Sequence, residues 1–308
     1  MKKMMALLLV LLFLPVLAFA DLEVYFLDVG QGDSAIVLCD GESMIIDGGP
    51  ASASSFLYSF IRDTLGLEHI DYMVATHPHE DHIGGLPAVL NAVPVDLILS
   101  PVSEWDTKRF ESISKYAQAQ GAQIIVPDEG DMLSLGSATV MVLHCWPDAW
   151  TVNDMSIVVR IDYGQTSFLF TGDAEYSSEY MMIDAQFPLK ADVLKAGHHG
   201  SYTSSSYEFL ESVQPNYVII SCGTENGYGH PHQETLDKLK NVEIYRTDLQ
   251  GTIHCISDGK TIRFTTERTA SGDLYMSPAQ VKENEPLEDG GTEINSTLQS
   301  IFSEGASE

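Results

Sequence analysis

Seven consecutive residues, Thr76-His77-Pro78-His79-Glu80-Asp81-His82, restrict what this chain can fold into more than any other stretch. They carry three imidazoles and two carboxylates between the apolar run Tyr72-Met73-Val74-Ala75 and the pair Gly84-Gly85. That order predicts a buried strand, a tight turn and then a helix. In an extended turn His77 and His79 project to one side and grip a single divalent ion. Asp81 and His82, where the chain bends into the helix, are placed to serve a second ion close by. A solvated loop has no need of three imidazoles directly after a buried strand.

The rest of the chain supplies a scaffold for such a turn. Strands are predicted at 22–28, 34–39, 43–46, 70–76, 95–99, 122–126, 139–145, 156–162, 167–171, 191–196, 216–221, 242–245, 251–256 and 261–265. Helices are predicted at 53–65, 84–92, 107–120, 175–186, 204–213 and 232–240. Many strands interleaved with six helices give mixed sheets covered by helices, a layered α/β or α+β domain. No linker or repeat divides residues 21–266, which read as one domain.

Both ends differ from this middle. Lys2 and Lys3 precede the apolar run Met4 to Leu17, and Ala18-Phe19-Ala20 supplies a small-x-small cleavage pattern. Residues 1–20 are therefore expected to be a signal peptide, with export and a mature start at Asp21. The run is shorter than the roughly 20 residues that span a bilayer, and no apolar multi-helix segment follows it. Residues 267–308 hold nine acidic and two basic residues and read as an acidic, disordered tail. Cys39, Cys145, Cys222 and Cys255 lie in or beside apolar runs without a C-x-x-C pair, as expected of buried thiols.

Charge limits the partners. Sixteen Lys and Arg stand against 44 Asp and Glu, a formal net charge of −28. Proteins that hold nucleic acid by neutralising many phosphates are basic, so stable nucleic-acid binding is not expected. Docking on an anionic membrane surface is disfavoured for the same reason.

The H-x-H-x-D-H pattern resembles that of the metallo-β-lactamase-fold hydrolase superfamily, and further matches follow in order along residues 21–266. Asp28-Val29-Gly30-Gln31-Gly32-Asp33-Ser34 resembles the opening of the hydrolase domain of ComEC-type competence proteins. Ile45-Ile46-Asp47-Gly48-Gly49, Asn153-Asp154-Met155-Ser156 and Phe168-Leu169-Phe170-Thr171-Gly172-Asp173 come next. Leu194-Lys195-Ala196-Gly197-His198-His199-Gly200-Ser201 and Tyr228-Gly229-His230-Pro231-His232 complete the set. The resemblance implies a four-layer αββα fold, two mixed sheets sandwiched between helices, and a site for two divalent ions, zinc or manganese.

By that resemblance, one ion takes His77, His79 and Asp173. The other takes Asp81, His82, Asp173 and one of His198 or His199. Position at the strand end favours His198 as the ligand and leaves His199 as a base off the metal. Asp81, His199 and His230 form the expected catalytic group, acting with a hydroxide that bridges the ions. Many relatives place another His where this chain has Asn153, which makes Asn153 a weaker metal ligand or a substrate contact. Asp47 is expected to steady the His loop from behind, and Asp28 and Asp33 flank the glycines beneath the site.

The ligands do not choose between a phosphodiester, a lactone and a lactam. His230, in a Gly-rich loop, can bind a phosphoryl oxygen or protonate a leaving alkoxide, and Ser201 and Thr203 can add neutral donors. Trp105, Trp146 and Trp150 would stack on a base or hold a quaternary ammonium if they lined the cleft. His232 flanks the last helix, and His69, His144 and His254 read as structural. The expected activity is that of a secreted phosphodiesterase, ComEC-like and so a candidate nuclease. Its substrate would be a small molecule, a nucleic acid or a cell-wall polymer. A teichoic-acid phosphocholine esterase, a lactonase or β-lactamase-like enzyme, and a non-catalytic binding protein are the alternatives.

Overall fold

Alternation along the first strand already sets two layers. In Leu22–Phe26 the side chains of Leu22, Val24 and Phe26 are buried on one face, while Tyr25 turns to the other. Successive residues of a strand point to opposite faces, so one strand feeds two cores. The structure, a computed structural model, describes residues 21–284. The expected signal peptide, and residues 285–308 of the expected tail, lie outside the described residues.

One sheet has eight strands in the order Ile262–Thr266, Ile253–Ser257, Leu22–Phe26, Ala35–Cys39, Glu42–Ile46, Ile70–Val74, Val95–Leu99 and Gln123–Ile125. It is antiparallel up to Glu42–Ile46 and parallel from there on. The other has seven, in the order Glu243–Arg246, Tyr217–Ile220, Val193–Lys195, Thr166–Phe170, Val158–Tyr163, Ala138–His144 and Met132–Leu135. It too is part parallel and part antiparallel.

Three cores bind these sheets into four layers. Between the sheets pack Val24, Phe26, Val37, Met44, Val142, Ile161, Phe168 and Phe170, with the Phe26 and Phe170 rings stacked at 5.6 Å. Helices holding Leu57, Ile61, Leu86, Val89, Phe110 and Ile113 cover the outer face of the first sheet. Helices holding Met182, Phe209, Val213 and Leu236 cover that of the second. Each fully buried large apolar side chain stabilises the fold by roughly 1.5–3 kcal/mol. The expected sandwich of two mixed sheets between helices is thus what the chain forms.

Some elements differ from expectation. The helix expected over 84–92 forms as Leu86–Ala92, and a separate helical turn that was not expected, Glu80–Ile83, precedes it. Between the two, the Gly85 N–H donates to the Gly49 carbonyl at 3.0 Å, and the backbone packs so close to Gly48 that an added Cβ would lie 2.2 Å from its carbonyl oxygen. Strand Met132–Leu135 was not expected; it returns antiparallel on Ala138–His144 through Gly136, whose φ is +56°. The helix at Lys108–Gln120 keeps its expected ends, because Thr107 caps it and Gly121 closes it in the left-handed conformation.

The described chain also runs past the expected boundary at 266. Arg246 is buried and pairs with Asp248, and its Nη1 donates to the carbonyls of Leu274 and Met276 at 3.0 and 2.7 Å. A buried guanidinium must find acceptors, and these draw the following segment onto the second sheet's edge, where Pro278–Asn284 is helical. No helix among the described residues is long and apolar enough to cross a membrane. The four Cys are unpaired with one another; Cys39, Cys222 and Cys255 are buried and Cys145 half-buried.

Candidate metal centre

Both sheets end their strands at one rim. Asp47 directly follows Glu42–Ile46, and the His77–His82 loop follows Ile70–Val74. From the other sheet, Asp173 follows Thr166–Phe170, and His198 and His199 follow Val193–Lys195. The crevice outside the carboxyl ends of parallel strands is where open α/β sheets take ligands. His198 and His199 are both left-handed, at φ 47° and 55°, a conformation that costs non-glycine residues energy and clusters at functional sites.

A first donor set forms on one side of Asp173. His77 Nε2 lies 3.0 Å from His79 Nδ1 and 3.7 Å from Asp173 Oδ2. His198 Nε2 stands 3.7 Å from the same oxygen. Behind it, His198 Nδ1 is 3.2 Å from Glu175 Oε1 and 3.0 Å from Thr203 Oγ1. Asn153 lies beside this set; its Nδ2 donates to Glu175 at 3.2 Å, and its Oδ1 is buried with no partner.

A second set forms on the other side. His82 Nε2 is 3.1 Å from Asp173 Oδ1, and His199 Nε2 is 3.2 Å from Asp81 Oδ2 and 3.6 Å from Asp173 Oδ1. His82 Nε2, His199 Nε2 and Asp173 Oδ1 are buried without a hydrogen-bond partner. Buried polar atoms are normally satisfied. Three orphans converging from three chain segments fit a cation that they would share. Asp173 faces both sets, one oxygen to each.

Outer groups aim these rings. Asp47 Oδ2 takes His82 Nδ1 at 2.8 Å, while its two oxygens accept from the Thr76 backbone N–H and hydroxyl at 2.8 and 2.6 Å. His199 Nδ1 donates to the Ser221 carbonyl at 3.0 Å and lies 3.0 Å from Asp33 Oδ1. Asp33, in turn, pairs with the buried Lys195. Asp33, His82, Asp173 and His199 cluster within 4.8 Å. Asp33 nevertheless faces the Nδ1 side of His199 and is engaged by an ammonium, so it orients that ring, and Asp81 on the Nε2 side is the donor. Carboxylates behind ligating imidazoles fix their tautomer and orientation.

The geometry therefore reverses the preference for His198 as the ligand of the second set. His199 holds that place at 1% exposure, while His198 faces the first set beside Asn153. A buried ring between Asp33 and Asp81 is not free to act as a base off the metal.

Other expected residues are placed as follows. His230 lines the cavity, with Gln31, His79, Asp81, Asn153, Asp173, His198, His199 and Tyr228. Burial and the neighbouring imidazoles push its pKa down to about 3, so the ring is neutral near pH 7. Asp28 belongs to neither donor set; it accepts from Gly30 N at 3.3 Å and pairs with Arg268. Ser201 is buried away from the cavity and accepts from Thr203, which itself steadies His198. His232 receives the Tyr202 N–H, His144 meets Glu129, His254 meets Glu23 and His69 meets Asp96. None of Trp105, Trp146 and Trp150 lines the cavity, and Trp150 is 90% exposed. Sequence reasoning named Lys195 only as part of a motif and gave it no role, and it missed Glu175. Lys195 had a signal, a charge ending the apolar run Val193-Leu194, since Lys is rarely buried unless paired.

Protonation differs between the two sets. Burial holds His77 and His79 below the ordinary range, so both are neutral at pH 7. Burial also pushes His82 and His199 down, but Asp173 with Asp47 or Asp33 outweighs it. His82 ends well above the usual range and His199 at about 9. Without metal, both rings thus carry protons at pH 7, and a cation must displace them. Calorimetric titration of zinc in buffers of different ionisation enthalpy should show about two protons released per chain near pH 7, all with the ion of the second set. Apparent affinity there should rise with pH up to about 9, where His199 loses its proton unaided.

Comparisons with known proteins give the family and the fold. A family profile described as "Metallo-beta-lactamase superfamily" matches residues 27–224. The chain is 33% identical over 252 residues to ComE operon protein 3 of Bacillus subtilis, covering 75% of this chain and 32% of that protein. It is 28% identical over 255 residues to Recombination protein 2 of Haemophilus influenzae, covering 80% of this chain and 29% of that one. The chain spans about a third of the length of these curated relatives. Its fold is similar to that of YhfI from Bacillus subtilis, a metallo-beta-lactamase fold protein, with a TM-score of 0.52, 14% identity, and coverage of 74% of this chain and 96% of that one.

Proposed function

The chain belongs to the metallo-beta-lactamase superfamily, and from that premise we propose that it is an exported, dinuclear metal-dependent phosphodiesterase. The observation that carries the proposal is Asp173, whose two oxygens serve two separate donor sets at the floor of one cavity. His77, His79, His198 and Asp173 would hold one ion; Asp81, His82, His199 and Asp173 would hold the other. Two divalent cations so placed, zinc or manganese, would supply Lewis acidity and an ionised water.

The chain's own groups do the rest. Asp47 and Asp33 keep His82 and His199 aimed, and the cavity, about 320 Å³, has room for an ester group. His230 is a neutral donor for a phosphoryl oxygen, because its depressed pKa keeps it from holding a proton to pass on. The names of the relatives, competence and recombination proteins, support a phosphodiester over a lactam. A net charge of −28 supports a small diester or a strand end over a long stretch of nucleic acid. Cells that make the full chain should release it with residues 1–20 removed, as the Lys2-Lys3 start and the Ala18-Phe19-Ala20 pattern support.

The test compares bis(p-nitrophenyl) phosphate, single-stranded DNA, a lactone and a chromogenic cephalosporin on the metal-loaded chain. The diester is expected to be cleaved with a kcat/KM at least about tenfold above the lactone and the cephalosporin, a margin of about 1.4 kcal/mol. Faster turnover of either of those two would replace the proposal with acyl hydrolysis.

A further inference from the structure

Gln31 is a polar group of the cavity that neither donor set uses. It comes from the Asp28–Asp33 turn and lines the cavity. Its Oε1 accepts the Gly223 backbone N–H at 3.1 Å. A backbone N–H can only donate, so the oxygen must face Gly223, and the amide –NH2 is the other end. The contact is close, since a Cβ on Gly223 would lie 2.6 Å from the Gln31 backbone nitrogen. The Gln31 Nε2 is buried and has no partner.

A second orphan shares that cavity. His230 is 4% exposed, its backbone N–H and carbonyl are both clamped by the Asn226 side chain, and its Nδ1 is buried without a partner. A buried donor without an acceptor carries an uncompensated desolvation cost. The Gln31 amide can only donate at that end, and the His230 ring donates there with its proton on Nδ1, so an acceptor bound between the two loops would satisfy both. Asp173 Oδ1 and His199 Nε2, also without partners in the cavity, belong to the second donor set, and Asn153 Oδ1 is an acceptor that repels anionic oxygen.

We infer that the Gln31 amide, together with His230, binds the non-bridging phosphoryl oxygens of the substrate and makes Gln31 a specificity-determining residue for phosphodiesters. The inference rests on the phosphodiesterase reading above and deepens it. The Gln31 amide carries no charge, so it recognises an oxyanion without competing with the cations for the carboxylates. Non-bridging oxygens are already charged in a bound diester. The contact therefore acts in ground and transition states alike and appears in KM rather than kcat.

The experiment uses the full chain loaded with two divalent ions, with bis(p-nitrophenyl) phosphate as substrate and inorganic phosphate as ligand. Gln31→Leu removes the donor, and Gln31→Glu keeps size and the Gly223 bond but turns the donor into an anionic oxygen. A lost hydrogen bond to a charged group predicts about a tenfold rise in KM and in the phosphate dissociation constant for Gln31→Leu. Gln31→Glu should exceed that. In both variants kcat should stay within about threefold and the metal content unchanged. Unchanged KM and phosphate affinity in Gln31→Leu at full metal content would overturn the inference. Should the wild-type chain not cleave the diester, the phosphodiesterase reading falls. The phosphate titration then still judges Gln31, with equal affinity in wild type and Gln31→Leu counting against it.

Discussion

Asp173→Ala should lower turnover of a phosphodiester by about a thousandfold or more and remove at least one of the two bound ions. Removing an outer carboxylate behind a ligating imidazole typically costs 10–100-fold. Asp173 should exceed that range, because its Oδ1 serves His82 and His199 while its Oδ2 faces His77 and His198. Its carboxylate is also the main counter-charge in the buried cluster. Burial alone would raise its pKa, yet His82 and His199 hold it well below the usual range. The variant therefore leaves two imidazoles that have lost the one carboxylate they share, the strongest counter-charge of each, and the metal-free protein should lose stability as well. Asp28→Ala is the matched control, since Asp28 touches only Gly30, Arg268 and the Thr252 hydroxyl. It should keep activity within about threefold. Steady-state rates with metal analysis on both variants check the pair, and equal loss in both would remove Asp173 from its bridging role.

Gly32→Ala should destabilise the protein by about 3 kcal/mol or more and loosen the His loop with it. A Cβ at Gly32 would stand 2.2 Å from the Asp81 carbonyl oxygen and 3.0 Å from Pro50, at a φ of +145°. The obstacle is backbone, which has no rotamer to yield. The same turn is tied to that backbone, because Asp33 N donates to the Asp81 carbonyl at 3.1 Å. Pushing the turn away thus moves Asp81, His82 and Asp33 together. Gly30→Ala meets nothing within 4 Å and carries only the cost of a positive φ, about 1 kcal/mol. At roughly 2–4 °C per kcal/mol for a chain of this size, Gly32→Ala should lower Tm by about 6–12 °C, and Gly30→Ala by about a third of that. Equal shifts would mean that the close approach to Asp81 does not matter.

Much of this centre was legible in the sequence, for physical reasons. The His77–His82 cluster announces itself because several ligands come from one turn, at spacings that the strand and helix periods convert directly into direction. Asp47 and Asp173 were legible because each ends an apolar strand at a glycine. What the sequence hid is which neighbour a ring meets. His198 and His199 are adjacent, and their separation onto two sides of Asp173 depends on two successive left-handed residues. Position at the end of a strand cannot foretell that.

The roles of Lys195, Glu175 and Gln31 were hidden for a related reason. Each acts through a partner distant in sequence, Lys195 on Asp33 and Gln31 on Gly223. The fold's helices and strands were legible wherever a cap or an alternation was local, as at Thr107 and Gly121. Gly85 stands outside the helix expected over 84–92, packed against Gly48, and the 274–276 segment is drawn in by the buried Arg246. Neither leaves a local mark.

Everything about the centre depends on two cations being held at once. Titration of the metal-free full chain with zinc or manganese, followed by equilibrium dialysis and elemental analysis, counts them. Two ions per chain in the wild type, with the second lost in His199→Ala and retained in His144→Ala, is the predicted result. A chain that retains no ion at micromolar supply, or whose count His199→Ala leaves untouched, would contradict it.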